Sequence, residues 1–230
     1  MERQLHAENV EKLQERVRLS AQNSRRDYRD ILLLAVSKTR PAADIHAVHS
    51  CGLNDFGESY LQEALVKMAE LEDLDLVWHF IGPVQSNKTR QIASHFDWVH
   101  SVDRLKIARR LSAQRPEQMA PLQICIQVNI SGESSKSGAD LQQLPQLAND
   151  ISALPRLQLR GLMGIPAASS DIQAQRNDFA RLRVALQALR QTLPELDTLS
   201  MGMSADLEAA IAEGSTIVRV GTALFGPRQR

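Results

Sequence analysis

One pattern repeats along the 230-residue chain: a short apolar run, a polar or glycine-containing turn, and then a segment with helical periodicity. Short apolar runs with polar ends are typical of strands that are buried on both faces of a parallel sheet. Eight such runs occur, and LQICIQVNI is the clearest. We predict strands at 31–37, 53–57, 77–82, 97–102, 122–130, 157–165, 198–202 and 215–221.

The segments between these runs, and one segment before the first of them, have the spacing of helices. A leading helix over the first thirty residues is predicted by apolar residues among charges, namely Leu5, Val10, Leu13, Val17 and Leu19. Further helices are predicted at 41–50, 60–71, 86–95, 103–114, 140–154, 171–193 and 205–212, with a short one at 223–225. Asp103 is the predicted N-cap of the helix that it begins.

Eight strands that alternate with helices indicate a parallel α/β fold. Eight is also the number that closes a (β/α)8 barrel, or TIM barrel, whose usual size is about 250 residues. No Gly/Ser-rich or Pro-rich linker divides the chain. We therefore predict one barrel domain over residues 1–230 with an extra N-terminal helix. A doubly wound open sheet is the competing architecture.

Charge and composition exclude several classes of function. The 27 Lys and Arg balance the 27 Asp and Glu, which argues against binding nucleic acid or anionic membranes by bulk charge. The start, MERQLHAENV, is charged, unlike a signal peptide, and the longest apolar run, Ile31 to Val36, is too short to span a bilayer. Two distant cysteines form neither a disulfide framework nor a zinc knuckle. We expect a cytoplasmic protein with an aliphatic core.

In a barrel of this kind the functional face lies at the carboxyl ends of the strands. Lys38 stands out there, because the chain has six lysines beside 21 arginines and only Lys38 directly follows a buried strand. A lysine in an apolar barrel mouth is expected to have a lowered pKa, and its free amine is the nucleophile of Schiff-base chemistry. The alternative is a lysine whose ammonium group extends from the strand end into water.

The last two strands carry an independent signal for phosphate. Ser204 follows the seventh strand, and Gly221 and Thr222 follow the eighth. Barrels often bind phosphate between these two loops, where a short helix begins. The alternative is ordinary helix capping by a serine and a common Gly-Thr turn.

Several other polar residues have two interpretations each. Arg219 lies two residues before Gly221, so it faces either the barrel interior or a carboxylate on an outer helix. His79 fits a hydrogen-bonded core histidine better than a ligand. The loop SGESSKSG (131–138) fits a lid or an anion contact as well as a mobile loop, while Met163, Met201 and Met203 fit packing. Motifs for metal, nucleotide and serine-hydrolase chemistry are absent from the sequence.

Seven segments in order resemble the serial motifs of the pyridoxal 5′-phosphate (PLP) homeostasis proteins. They are LLAVSKTRP, FGESYLQEA, WHFIGPVQSNK, QVNISGESSKSG, RGLMGIP, SMGMSADLEAAI and VRVGTALFG. The resemblance covers nearly the whole chain. It implies a single-domain barrel like the N-terminal domain of alanine racemase, with PLP bound to a lysine after the first strand.

The resemblance also assigns roles to individual residues. The family lysine matches Lys38, and the arginine that faces the pyridine nitrogen matches Arg219. Three residues match the phosphate ligands of the family, namely Ser204, Gly221 and Thr222. One position departs from the family, which usually has FGENY where this chain has FGESY. Ser59 therefore stands near the cofactor in place of an asparagine, and we expect it to alter cofactor affinity or ring tuning without removing the Schiff base.

An arginine at the pyridine nitrogen leaves that nitrogen unprotonated and limits carbanion stabilisation. Alanine racemase adds a tyrosine base from a second domain, and neither Tyr28 nor Tyr60 obviously replaces it. The resemblance thus implies a PLP carrier or buffer that maintains vitamin B6 and amino-acid/keto-acid pools, not a turnover enzyme. PLP-requiring apoenzymes and small amino acids are the expected partners, and the chain is expected to be a monomer.

Two other functions remain as alternatives. One is a racemase-like PLP enzyme, and the other is a cofactor-free Schiff-base aldolase that uses Lys38 on a phosphorylated sugar. Whether Lys88 or Lys136 forms a second, weaker PLP adduct is left open by the sequence.

Overall fold

The computed structural model describes residues 2–130, 137–167 and 169–227. Its eight parallel strands form a closed barrel in chain order, and the last strand pairs with the first. The barrel predicted from the sequence is thereby confirmed, and the open sheet is excluded. The strands are β1 (Leu32–Val36), β2 (Asp55–Glu58), β3 (Val77–Phe80), β4 (Trp98–Val102), β5 (Leu122–Val128), β6 (Leu157–Gly164), β7 (Thr198–Ser200) and β8 (Ile217–Val220).

Helices surround the barrel and follow the strands in turn. They are α1 (Glu2–Asn23), α2 (Ala42–His49), α3 (Leu61–Glu70), α4 (Thr89–His95), α5 (Leu105–Gln114), α6 (Leu144–Ser152), α7 (Ile172–Leu189), α8 (Leu207–Ala212) and α9 (Thr222–Phe225). A one-turn 3-10 helix, Tyr28–Asp30, precedes β1. None of the helices in the described ranges is long and apolar enough to cross a membrane.

The apolar runs are continuous because both faces of each strand are covered. In β1, Leu33 and Ala35 are buried on one face and Leu34 on the other. Leu34 pairs in register with Arg219 of β8, and side chains paired between parallel strands point to the same face. Arg219 bonds to groups on β6 and β7 inside the barrel, so this face is the barrel lumen.

Helix α1 closes one side of the barrel by packing against α2, α8 and α9. Its buried side chains are Val10, Leu13, Val17 and Ala21. Leu5 and Leu19, which the sequence places on the same apolar face, are exposed. At about 100° per residue, Leu5 lies about 140° from Val10 and Leu19 about 200° from Val17, so both face solvent away from the buried stripe.

Asp103 does not cap the helix that follows it, which corrects the sequence-based prediction. Helix α5 begins at Leu105, with Arg104 at the N-cap position and no side-chain cap. The Asp103 carboxylate instead accepts hydrogen bonds at 2.7 and 2.8 Å from the Arg104 guanidinium. Because the carboxylate is bound to the adjacent arginine, it does not accept from the free N–H groups of the helix.

Candidate functional site

Of the six residues predicted as the site, Arg219 lies in β8 and the other five follow the carboxyl ends of the neighbouring strands β7, β8, β1 and β2. Val36 of β1 pairs with Gly57 of β2, and the Ser37 amide donates to the Gly57 carbonyl at 3.0 Å. Lys38 and Ser59 therefore follow the ends of two adjacent strands. On its other edge β1 pairs with β8, where Ala35 opposes Val220. Gly221 follows directly, and a Cβ atom at Gly221 would lie 3.3 Å from the carbonyl oxygen of Val36.

Lys38 is half-buried and lies in a short turn that is held on both sides. Before it, the Ser37 carbonyl accepts a hydrogen bond from Lys67 Nζ at 2.9 Å. After it, the Thr39 amide donates to Glu63 Oε1 at 2.5 Å. Thr39 has a φ of 64°, a left-handed conformation that costs energy for a β-branched residue and persists only when neighbours enforce it.

A buried ionic cluster, which we call the Lys67 cluster, consists of Ser37, Glu58, Glu63 and Lys67. Lys67 Nζ lies 2.6 Å from Glu58 Oε1 and 2.6 Å from Glu63 Oε1. Ser37 Oγ donates to the same Glu58 oxygen at 2.6 Å. Burial raises the pKa of the Glu58 carboxyl, and Lys67 and Ser37 partly offset that rise. Glu58 Oε2 has no partner among the described residues.

Arg219 points into the barrel, which decides the question that the sequence left open. Its guanidinium donates to the Ser200 carbonyl, to Ser200 Oγ at 2.7 Å and to the Gly164 carbonyl at 3.0 Å. Burial lowers the pKa of Arg219 to about 10, although Asp206 and Cys125 act against that change. Arg219 therefore stays charged near neutral pH. Three of its five N–H groups have protein acceptors in the described structure, and two remain available.

The residues of the predicted phosphate site come together through α9. Ser204, in the loop before α8, accepts a hydrogen bond at Oγ from the Ala223 amide at 3.4 Å. Thr222 begins α9, and Gly221 is its N-cap. Two hydroxyl groups and a glycine thus lie beside one another. Ser204 does not cap α8, because Asp206 holds that N-cap position.

Helix α1 also reaches this part of the barrel. Arg16 donates to the Ser204 carbonyl at 3.1 Å and to both carboxylate oxygens of Glu208 at 2.8 and 2.9 Å. Asn9 donates to the Leu224 carbonyl at 3.0 Å. The N-terminal helix therefore fixes the loops after β7 and β8 relative to each other.

Ser59 is half-buried at the end of β2. Its backbone packs tightly against Gly82 after β3, where an added Cβ atom would lie 2.3 Å from the Ser59 carbonyl oxygen. A side chain at position 82 would therefore collide with the Ser59 backbone, and the glycine allows the ends of β2 and β3 to approach each other.

Comparison with known proteins gives the family. A family model described as the alanine racemase N-terminal domain matches residues 8–229. The pyridoxal phosphate homeostasis protein of Pseudomonas aeruginosa is 61% identical over 222 residues, which covers 96% of this chain and 95% of the relative. The chain belongs to the pyridoxal phosphate homeostasis protein family. A further member, from Escherichia coli K12, is 49% identical over 225 residues and covers 96% of each chain.

Solved structures of this family and of alanine racemases share the barrel. PipY of Synechococcus elongatus, solved with PLP bound, has a TM-score of 0.84 and 39% identity, and the match covers 96% of this chain and 100% of PipY. Alanine racemase of Corynebacterium glutamicum has a TM-score of 0.68 at 19% identity, covering 98% of this chain and 62% of the racemase. The second likeness concerns the fold alone.

Other predictions about individual residues have mixed outcomes. His79 is a fully buried histidine with two hydrogen-bond partners, as predicted. Met163 and Met201 are buried in packing, whereas Met203 is 39% exposed. Lys88 is half-buried at the N-cap of α4. Lys136 and most of the SGESSKSG loop lie outside the described residues.

Sequence reasoning missed the polar groups behind the site. In the sequence-based prediction Glu58 directly follows a strand and Lys67 lies within a helix, and nothing indicates that their side chains meet. The sequence also does not single out Ser200 or His100. The sequence contains a weak signal for these residues, because a charged or polar residue inside the apolar run of a buried strand needs a hydrogen-bond or ionic partner. Among the described residues, no group of three His, Cys, Asp or Glu side chains is able to hold a metal ion.

Proposed function

We propose that this protein holds PLP through a Schiff base between the cofactor aldehyde and Lys38, and that it carries or buffers the cofactor. The relatives from P. aeruginosa and E. coli are named pyridoxal phosphate homeostasis proteins, and PipY was solved with PLP bound. The observation that supports the site is the pairing of β1 with β8. This pairing joins the strand that leads to Lys38 to the strand that carries Arg219.

The residues fit the chemical groups of PLP. Lys38 supplies the amine. Arg219 keeps two N–H groups without protein acceptors in the described structure, and one of them would donate to the pyridine nitrogen. The hydroxyl groups of Ser204 and Thr222, with Gly221 between the strand and α9, hold the phosphate. Ser59 lies beside Lys38 and tunes the affinity.

When bound, PLP supplies an electron sink for reactions at amino-acid carbons. Arg219 weakens that function, because an arginine donates its proton to the ring nitrogen in a hydrogen bond and does not transfer it. Tyr28 lines a cavity at the opposite end of the barrel, and Tyr60 is 55% exposed. Neither tyrosine is buried in a position where it could act as a second base opposite Lys38. This arrangement supports a role in PLP and amino-acid homeostasis without turnover.

The first experiment is an absorbance spectrum of the purified protein after incubation with PLP and desalting. We expect a band at about 420 nm that borohydride abolishes, with the reduced adduct on the Lys38 peptide. Lys38→Ala removes the band, and Lys88→Ala, a lysine at the same end of the barrel, retains it. A colourless protein contradicts PLP binding and favours a cofactor-free aldolase. A band that persists in Lys38→Ala moves the attachment to another lysine.

A second experiment separates a carrier from a racemase-like enzyme. The loaded protein is incubated with small amino acids in deuterated water, and exchange of the α-hydrogen is followed by NMR. We expect no more exchange than free PLP gives at the same concentration. Faster exchange that disappears in Lys38→Ala would establish the racemase-like alternative. The monomeric state, the cytoplasmic location and the recipient apoenzymes remain predictions.

A further inference from the structure

Five polar side chains form a continuous hydrogen-bonded chain across the barrel lumen. Arg219 of β8 donates to Ser200 Oγ of β7 at 2.7 Å. Ser200 Oγ lies 2.7 Å from His100 Nδ1 of β4, and His100 Nε2 lies 2.9 Å from His79 Nδ1 of β3. His79 Nε2 lies 2.9 Å from Asp55 Oδ1 of β2. We call these residues the lumen chain.

The two ends of the lumen chain determine the direction of every hydrogen bond in it. The Asp55 carboxylate only accepts, so His79 Nε2 donates to it, and in a neutral ring His79 Nδ1 then accepts from His100 Nε2. A neutral His100 accepts at Nδ1 from Ser200 Oγ. Ser200 Oγ in turn accepts from Arg219, which only donates. With neutral rings one arrangement therefore satisfies all five groups, and in it each histidine is the Nε2–H tautomer.

Burial supports this assignment. Ser200, His100 and His79 are fully buried. Burial, with the nearby His79 and Arg219, lowers the pKa of His100 well below its usual range. Protonation of His100 would also make Ser200 Oγ accept from both neighbours, so the Ser200 proton would lose His100 as its acceptor.

The far end of the chain reaches the opposite end of the barrel. Asp55 begins β2, its side chain is 22% exposed, and it borders a cavity of about 1200 Å³ at the amino ends of β1, β2 and β8. Trp98 stacks on His79 with the ring planes 9° apart and the centroids 5.4 Å apart, which fixes the ring plane of His79. The lumen chain thus connects the cofactor end of the barrel to a carboxylate at the base.

We propose that Ser200, His100, His79 and Asp55 are positioning residues for Arg219. In each group of the chain the acceptor atom faces the Arg219 side and the donated proton faces the Asp55 side. The chain therefore stabilises the Arg219 charge, which has no ion pair within the described residues. It also helps to orient the guanidinium, because a Ser200 hydroxyl whose proton is donated to His100 turns its lone pairs to Arg219. The proposal rests on the proposed function, in which Arg219 faces the pyridine nitrogen.

The first test uses the protein without PLP. Imidazole nitrogen NMR of histidine-labelled protein reports the tautomer of each ring. We expect His79 and His100 to be neutral Nε2–H tautomers, with a proton-detected coupling across the link between the two rings. Asp55→Ala removes the terminal acceptor and makes His79 a mixture of tautomers. Asp55→Asn keeps an acceptor oxygen and leaves the tautomer unchanged. A protonated ring or an Nδ1–H tautomer in the native protein would overturn the proposal.

The second test measures PLP affinity by fluorescence titration. Loss of a hydrogen bond to a charged group, transmitted along the chain, is expected to weaken binding about threefold to tenfold in Asp55→Ala. Asp55→Glu restores binding. Asp44→Asn is the matched control, because Asp44 also contacts a buried histidine, His6, at 3.3 Å but lies outside the chain.

A double-variant cycle then separates positioning from general destabilisation. Ser200→Ala interrupts the lumen chain next to Arg219. If the chain transmits the effect, Asp55→Ala weakens PLP binding no further in the Ser200→Ala background. An equal effect of Asp55→Ala in both backgrounds refutes the proposal. Failure of the native protein to bind PLP refutes the proposed function instead, and the tautomer measurement then still tests the chain.

Discussion

Replacing Lys67 by methionine tests the Lys67 cluster, since methionine has a similar length and no charge. Lys67 is 5% exposed, and its ammonium contacts Glu58, Glu63 and the Ser37 carbonyl. In Lys67→Met the Glu58 carboxylate remains fully buried, and among the described residues only the Ser37 hydroxyl donates to it. Glu63 is 29% exposed and regains water, so it contributes less to the loss.

The expected cost follows from this difference in exposure. Removal of one partner from a buried ion pair costs about 3–5 kcal/mol, because the other charge stays desolvated. We expect the lower end, about 3 kcal/mol in the free energy of unfolding at about pH 7, since Ser37 still donates and protonation of Glu58 limits the penalty. Lys67→Met combined with Glu58→Gln removes both charges and is expected to return within about 1 kcal/mol of the native protein.

The pH dependence has a definite sign. Burial already raises the pKa of folded Glu58 above 4.5, and loss of Lys67 raises it further. Folded Glu58 then keeps its proton to higher pH than the unfolded chain does, so stability from this group is present at low pH and falls as pH rises through the raised pKa. The difference between Lys67→Met and the native protein is therefore small below pH 4.5 and grows above it.

Urea denaturation of the PLP-free protein, followed by circular dichroism at several pH values, measures these quantities. Lys12→Met is the control. Lys12 is 73% exposed and its ion pair with Glu8 spans 3.9 Å at the surface, so little change in stability is expected. The reasoning is refuted if Lys67→Met costs less than about 1 kcal/mol near neutral pH. It is also refuted if the double variant is as unstable as the single one.

Three further variants or reagents probe other parts of the molecule. Arg16→Ala detaches α1 from the β7–α8 loop and should weaken PLP binding about threefold in a fluorescence titration, whereas Arg18→Ala, whose salt bridge stays within α1, should not. Iodoacetamide at about pH 8 should alkylate Cys51 before Cys125, because burial raises the pKa of the Cys125 thiol to about 12; equal rates by mass spectrometry contradict this. Gly202→Ala should cost about 2–4 kcal/mol by urea denaturation, since its φ is 93° and the new Cβ would lie 2.5 Å from a side chain of α8; an unchanged midpoint contradicts this.

The strands and helices were predictable because their signal is local. Each buried strand is a continuous apolar run, so its bounds in the structure differ from the prediction by a few residues at most. Once the barrel is predicted, all strand ends meet at one mouth, and Lys38 and Arg219 follow from their places in β1 and β8. The error at Asp103 is also local, and it arises because the neighbouring Arg104 guanidinium binds the carboxylate.

The lumen chain and the Lys67 cluster were not predictable in the same way. His100 of β4 meets Ser200 of β7 across the barrel, and nothing in either strand specifies the partner. Glu58 and Lys67 are nine residues apart, but one lies on a strand and the other on a helix, so no single periodicity relates them. Such pairs depend on the closure and radius of the barrel, which a single sequence does not encode at short range.

The seam between β1 and β8 has a consequence for the order in which the protein acquires its cofactor during synthesis. A ribosome adds about 5–20 residues per second, so Lys38 is made about 10 to 40 seconds before Thr222. During that interval Lys38 belongs to an incomplete chain in which β1 lacks its partner β8 and α1 lacks α9 to pack against. Because Arg219, Gly221 and Thr222 of the proposed site are made last, stable capture of the cofactor follows emergence of the final strand.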